Sequence, residues 1–283
     1  MERGRDCVVL TEREKQRDYV KYLNWPMKPP DSQQLEKTLT EINPRNALRL
    51  ENINEMFEDG RPGDYGWCIF EDGSSYIASV TNMPGVTTEM IDWWFCWHGM
   101  ESLRYAIWDP KDHYRISQLR SHTERRLNQS LPLNQRIWGT SDFVYEDNGA
   151  PVPWVGQISF HDPEEFGIDK KKLAEAGGTI ICANTNIVGE IMPRSTFLHY
   201  AKKTEGGVSL QSYFWPGWFF AGKKLVRNPD AAVSVDRCIG LAHHCPNEYT
   251  RLADILPHVY EENHMIADKV EDFIPFGYSD VYC

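Results

Sequence analysis

Between Tyr65 and Trp218 the sequence is interrupted repeatedly by turn residues, and the apolar runs between the turns are short, aromatic and β-branched. A chain punctuated in this way builds an antiparallel sheet from hairpins. Gly66-Trp-Cys-Ile-Phe, the turn Glu71-Asp-Gly-Ser and Ser75-Tyr-Ile-Ala-Ser-Val-Thr-Asn-Met form one hairpin signature, closed by Pro84-Gly85. Thr196-Phe-Leu-His-Tyr-Ala and Val208-Ser-Leu-Gln-Ser-Tyr-Phe-Trp form another through Glu205-Gly-Gly. Further strand candidates are Arg104-Tyr-Ala-Ile-Trp, Asp142-Phe-Val-Tyr, Val155-Gly-Gln-Ile-Ser-Phe and Gly178-Thr-Ile-Ile-Cys-Ala-Asn-Thr.

Helical signals surround this block. Thr87 followed by an acidic first turn and Trp93-Trp-Phe-Cys-Trp predicts a capped helix packed flat on the sheet. From about Asp236 to Met265, Leu241, His244, Glu248, Leu252, Ile255 and Val259 share one broad helical face. Pro246 fits such a helix in its first turn, and Pro257 predicts a kink or interruption. Residues 11 to 60 read as short helices joined by Pro-rich turns, one starting at Asp31-Ser-Gln-Gln and one at Asn43-Pro. The expected class is α+β, with an N-terminal helical segment over residues 1–62. Residues 63–283 then form a curved antiparallel sheet around a long C-terminal helix, with a ligand cavity between them.

The 283 residues are 41% apolar and 25% charged, enough to bury a sizeable core. A formal charge of -11 opposes phosphate backbones and anionic lipid surfaces, so neither nucleic acid nor membrane is expected as a partner. No apolar leader or run of spanning length is visible, and the seven cysteines are scattered, with no Cys-x-x-Cys pair. A reducing, cytoplasmic setting is the expectation. Cys245 reads as a small buried hydrophobe.

Four places carry groups suited to chemistry. His244 and Glu248 stand four apart on one helix face, close enough to share a metal ion, although the same spacing also suits a surface pair. His113 follows Trp108-Asp-Pro-Lys-Asp, where a strand end or an exposed loop would place it. Glu146 and Asp147 end an apolar run before a turn. His199 lies inside a strand with its ring aimed at one face, as an acid/base or as a satisfied structural group. His98 reads as an aromatic-packed core histidine that competes as a ligand, and His243 points away from the Glu248 face.

At these residues the sequence resembles the 2,4-diacetylphloroglucinol hydrolase and phloretin hydrolase family. The matching stretches are Met83-Pro-Gly-Val, Trp93-Trp-Phe with Trp97-His98, and Leu103-Arg-Tyr-x-Ile-Trp-Asp-Pro-x-Asp-His113-Tyr. Trp138-Gly-Thr, Glu146-Asp, Phe197-x-His199, Ser212-x-Phe-Trp-x-Gly217 and His244-Cys-x-x-Glu248-Tyr continue them in order. The wording around His113 is nearer the phloretin hydrolase branch. The resemblance implies a helix-grip fold like that of the birch pollen allergen and lipid-transfer domains. It implies a zinc ion on His113, Glu146, His244 and Glu248, and hydrolysis of the carbon-carbon bond between an acyl group and a phloroglucinol-type ring. Tyr105 and His199 become the catalytic and substrate-contacting groups, Trp218 a cavity wall, a small aromatic ketone the substrate, and a homodimer the assembly. Two positions depart from the family pattern: Ile116 where an asparagine contacts substrate, and Tyr213 where arginine is usual. A non-catalytic carrier of aromatic ligands, or a metal-dependent hydrolase of another activated ketone, are the rival readings.

Overall fold

The computed structural model describes residues 8–148 and 153–273. Cys7, Cys283 and the end of the turn after Asn148 lie outside them. Strand β1 (Gly66–Ile69) turns back into β2 (Ser75–Pro84) through Gly73, whose φ of +77° suits only glycine. Asp72 fixes this turn by accepting from the Ser74 amide at 2.9 Å. Strands β3 (His113–Gln118), β4 (Ser141–Glu146), β5 (Trp154–Phe160) and β6 (Thr179–Ile187) follow. Then come β7 (Ser195–Thr204) and β8 (Gly207–Pro216), the hairpin expected at Glu205-Gly-Gly. The order across the sheet is β1-β2-β8-β7-β6-β5-β4-β3, every pairing is antiparallel, and the sheet stays open.

Over β1, β2 and β6–β8 both faces of the sheet are covered, so buried residues run consecutively through β7 from Thr196 to Ala201. One face packs Met83, Ile181, Phe197 and Leu210 against helical residues such as Trp94, Leu103 and Leu252. The other packs Tyr76, Leu198, Tyr213 and Trp215 against Leu48, Ile53, Met56 and Phe166. The small sheet of β9 (Trp218–Ala221) and β10 (Lys224–Arg227), absent from the sequence expectation, lies on this second side, where Phe220 stacks on Phe166 at 4.4 Å.

Among the helices, α1 (Ser32–Leu39) starts where Asp31 caps the Gln34 amide, and α2 (Thr88–Trp97) where Thr87 caps that of Met90. Short helices α4 (Arg120–Arg126) and α5 (Lys170–Ala176) fill connections. Three expectations need correction. Arg104–Trp108, expected as a strand, belongs to helix α3 (Ser102–Trp108), because Leu103 to Trp108 are all buried and an apolar run covered on every side carries no period. Asn43-Pro opens a turn, and the first helical turns after it are the 3-10 segment Leu50–Phe57. Helix α6 (Val235–Asn263), capped by Ser234, runs 29 residues with both Pro246 and Pro257 in its interior. Each proline forgoes one backbone bond, at a cost of about 3 kcal/mol. The buried face of Ala242, Cys245, Tyr249, Leu252, Ile255 and Val259 outweighs that cost and holds the helix together.

The most buried tie between the N-terminal segment and α6 is made by Arg251. Arg251, wholly buried, donates to the Tyr22, Trp25 and Pro26 carbonyls at 2.6, 2.8 and 3.0 Å, and Trp25 Nε1 donates to Asp254 at 2.7 Å. Removing the guanidinium takes three charge-assisted hydrogen bonds from these carbonyls, and among the described residues only that of Tyr22 keeps a second donor, the Trp25 amide. We expect Arg251→Met to lower unfolding stability by at least about 3 kcal/mol, read as a lower denaturant midpoint with an unchanged slope.

Candidate metal and ligand site

The pairing of β3 with β4 sets His113 opposite Glu146, and an irregularity between His113 and Arg115 re-aims the end of β3. Helix α6 brings His244 and Glu248 over this strand end. His113 Nε2 lies 3.5 Å and His244 Nε2 3.8 Å from Glu248 Oε2, and one ligand atom from each of the three residues falls within 4.8 Å of the others. All three are buried. Glu146 sits beside this trio with its oxygens engaged: Tyr105 donates its hydroxyl to Oε2, and Asn148 Nδ2 donates to Oε1 at 3.3 Å. The alternation of β4 puts Glu146 on the cavity face, whereas Asp147 follows the strand and its amide donates to the Asp112 carbonyl at 2.8 Å.

The donor chemistry fits a divalent ion with mixed nitrogen and oxygen preference, such as zinc. Behind His244, Asp112 Oδ2 lies 3.1 Å from Nδ1, which leaves Nε2 turned toward Glu248. Carboxylate support of this kind orients metal-binding imidazoles. The electrostatics point the same way. Burial pushes the Glu248 carboxyl well above its ordinary range despite His244 beside it. Burial opposes charge on His244, yet Glu248 and Asp112 raise its pKa to about 10. Buried carboxylates of this kind are stabilised by a positive charge placed among them.

The cluster opens on a cavity of about 640 Å³ between the sheet and α6. Its rim carries Asn148, Arg194 and Arg237, and its walls include Phe95, Trp108, Trp154, Phe197 and Phe214. Tyr105 stacks on His113 with ring centres 4.0 Å apart and planes at 4°. His199 faces the cavity from β7, with Ser212 Oγ 2.9 Å from Nδ1 and the Tyr249 hydroxyl 2.8 Å from Nε2. Burial lowers its pKa to about 3, so the ring is neutral at physiological pH. His98 is also buried against Trp94 and Phe95, as the sequence indicated, and its pKa is likewise driven by burial to about 3.

The structure thus gathers His113, Glu146, His244, Glu248, Tyr105 and His199 around one space, but not Trp218. That residue is half-buried near the opposite face, where its Nε1 donates to Ser74 Oγ at 3.1 Å. Its expected wall position is filled instead by Trp154, whose ring folds over Gly156 and comes within 2.1–2.3 Å of where a Cβ would stand. Of the two departures, Ile116 lines the cavity, while Tyr213 points the other way, toward Asp64 at 3.2 Å. Asp112 and Tyr249 were missed as functional groups, although each adjoins a recognised ligand in sequence.

Two outcomes follow for the isolated protein. Metal analysis should find one equivalent of tightly held ion, with Asp112→Asn weakening its affinity about 10–100-fold. His98 and His199 have folded pKa values depressed below the unfolded value of 6.5. Below pH 6.5 the unfolded chain takes up protons that the folded chain refuses. Stability is therefore complete above pH 6.5 and falls toward pH 3, with each ring contributing up to about 1.4 kcal/mol per pH unit. His98→Phe should flatten that slope in denaturant titrations.

Residues 48–261 match the family described as DAPG hydrolase PhiG domain. The chain is 32% identical over 263 residues to phloretin hydrolase of Eubacterium ramulus, covering 90% of this chain and 93% of that protein. It is 29% identical to 2,4-diacetylphloroglucinol hydrolase of a Pseudomonas species, covering 86% and 87%. A third relative, 2,4-diacetylphloroglucinol hydrolase of Pseudomonas protegens, is 28% identical with 86% and 84% covered. With a matched segment of this extent and a relative aligned over nearly its whole length, the chain belongs to the DAPG hydrolase family of enzymes.

Proposed function

We propose that this protein hydrolyses the carbon-carbon bond joining an acyl group to a phloroglucinol-type ring, giving phloroglucinol and a carboxylic acid. The observation that carries the reading is the buried His113, His244 and Glu248 cluster opening on an aromatic-walled cavity. His113, His244, Glu248 and Glu146 would hold Zn²⁺, which supplies Lewis-acid polarisation of a ketone oxygen. In the same reading the sheet and α6 form a helix-grip arrangement, and the substrate class includes phloretin-like ketones.

The chain's own residues supply orientation and proton transfer. Tyr105, held by Glu146 and stacked on His113, is placed to orient a ring hydroxyl. The ring carbon is a poor leaving group while aromatic. It becomes a good one when the phenol is in its keto form, where the bond resembles that of a β-diketone. Water adds to the acyl carbon, the bond to the ring breaks with its electron pair going to the ring enolate, and a proton is delivered to ring carbon. His199 is neutral, so one of its nitrogens carries a proton and the other a lone pair, and Ser212 and Tyr249 keep both aligned. That ring moves a proton between the attacking water and the departing ring carbon.

Acylphloroglucinols, phloretin included, should be cleaved by the metal-loaded protein and spared after chelation, with turnover returning on adding zinc. His199→Gln should lower kcat about 10²–10⁴-fold with metal content intact. Full turnover by folded His113→Ala and Glu248→Ala proteins would sink the proposal. Binding without cleavage by metal-loaded protein would mark a carrier.

A further inference from the structure

The cavity has a second polar end that the chemistry above does not use. Along β4, Asp142, Val144 and Glu146 alternate onto the cavity face, so Asp142 lies four residues inward of the metal-side carboxylate, about 13 Å along the strand. Around it the lining is Phe95, His98, Ile158 and Phe160. Asp142 is 1% exposed, its Oδ1 is paired with Arg126, and its Oδ2 has no hydrogen-bond partner. Arg126 Nη2 stands 2.9 Å from Oδ1 as an ion pair, Nη2 and Nε donate to Thr140 Oγ1 at 2.9 and 3.2 Å, and Nη1 is buried without a partner. Gln118, opposite Asp142 in the register, also has both amide atoms buried and unpartnered. Buried polar groups are nearly always paired, so this concentration at one end of a cavity calls for an occupant.

The polar groups that line the cavity at this end, Asp142 and His98, are acceptors. His98 Nδ1 lies 2.8 Å from the Trp94 carbonyl, which requires the proton on Nδ1 and leaves Nε2 with its lone pair. Asp142 as a carboxylate is acceptor-only. Two acceptors match a hydroxyl donor and repel a carboxylate or a carbonyl oxygen. Phe95 and Phe160 meet edge-on at 6.3 Å, providing apolar walls for a flat ring. Room for the carboxylate comes from Gly99, where a Cβ would stand 2.7 and 2.8 Å from its two oxygens.

We propose that this inner end is a hydroxyl-reading subsite, in which Asp142, with the His98 ring beside it, accepts the single proton of a phenolic hydroxyl at the far end of the ketone's acyl arm. The inference rests on the proposed function and adds to it a selection for acyl groups that end in a phenol. Arg126 is a positioning residue that holds Asp142 ionised and aimed.

The test compares phloretin with its analogue lacking the hydroxyl on the phenylpropanoyl ring. Binding is read by tryptophan fluorescence and cleavage by kcat/KM, using the metal-loaded full chain. The unsubstituted protein should prefer phloretin about 10–100-fold in both. The ratio should collapse toward one in the charge-removing pair Arg126→Met with Asp142→Leu, and shrink in His98→Phe. Equal affinity of the unsubstituted protein for the two ligands overturns the subsite and leaves the cluster a holder of water. So does a preference that survives unchanged in the folded double variant. Failure of the underlying function looks different, since neither ketone is then cleaved while the binding ratio still reports on Asp142 and His98.

Discussion

Burying acidic groups and imidazoles together is the constraint around which this molecule is arranged. Glu146 and Glu248 are both less than a tenth exposed, and a carboxylate taken out of water costs several kcal/mol unless a counter-charge meets it. The chain meets that demand with His244 beside Glu248 and with the hydroxyl of Tyr105 on Glu146. It also holds these groups on rigid supports. Two come from paired strand ends, two from successive turns of a 29-residue helix, and the helix is pressed onto the sheet by an apolar face. A loop could not keep four such groups facing one another.

The covering of the sheet on both sides follows from the same need for rigidity. Its cavity-facing surface is backed by a second core of Tyr76, Leu198, Tyr213 and Trp215, sealed by the 3-10 segment Leu50–Phe57 and by β9 and β10. The strand that bears His199 is thereby fixed from behind, and its shift would have to disturb close-packed aromatic side chains.

Much of this was legible in the residues because it depends on local period. The i, i+4 spacing of His244 and Glu248 needs only a helix, and the alternation around His199 needs only a strand. The hairpins with Gly73 and Gly206 announce themselves by turn chemistry. What failed had no local signature. Arg104 to Trp108 is apolar all round because α3 is buried on all sides, so helix and strand read alike. Trp218 and Trp154 are interchangeable by composition, and only the register of β5, with Gly156 beneath the indole, decides which one walls the cavity. Asp112 behind His244 is a contact across 132 residues, set by where α6 lands.

Helix α6 carries Arg251 only three residues beyond Glu248, and that guanidinium gathers the N-terminal carbonyls of Tyr22, Trp25 and Pro26. Ligand sphere and chain-terminus anchor are thus parts of a single rod. Loosening at either point is felt at the other without passing through the sheet. On heating, detachment of the segment around Tyr22 to Pro26 would therefore also loosen the turn of α6 that faces the cavity.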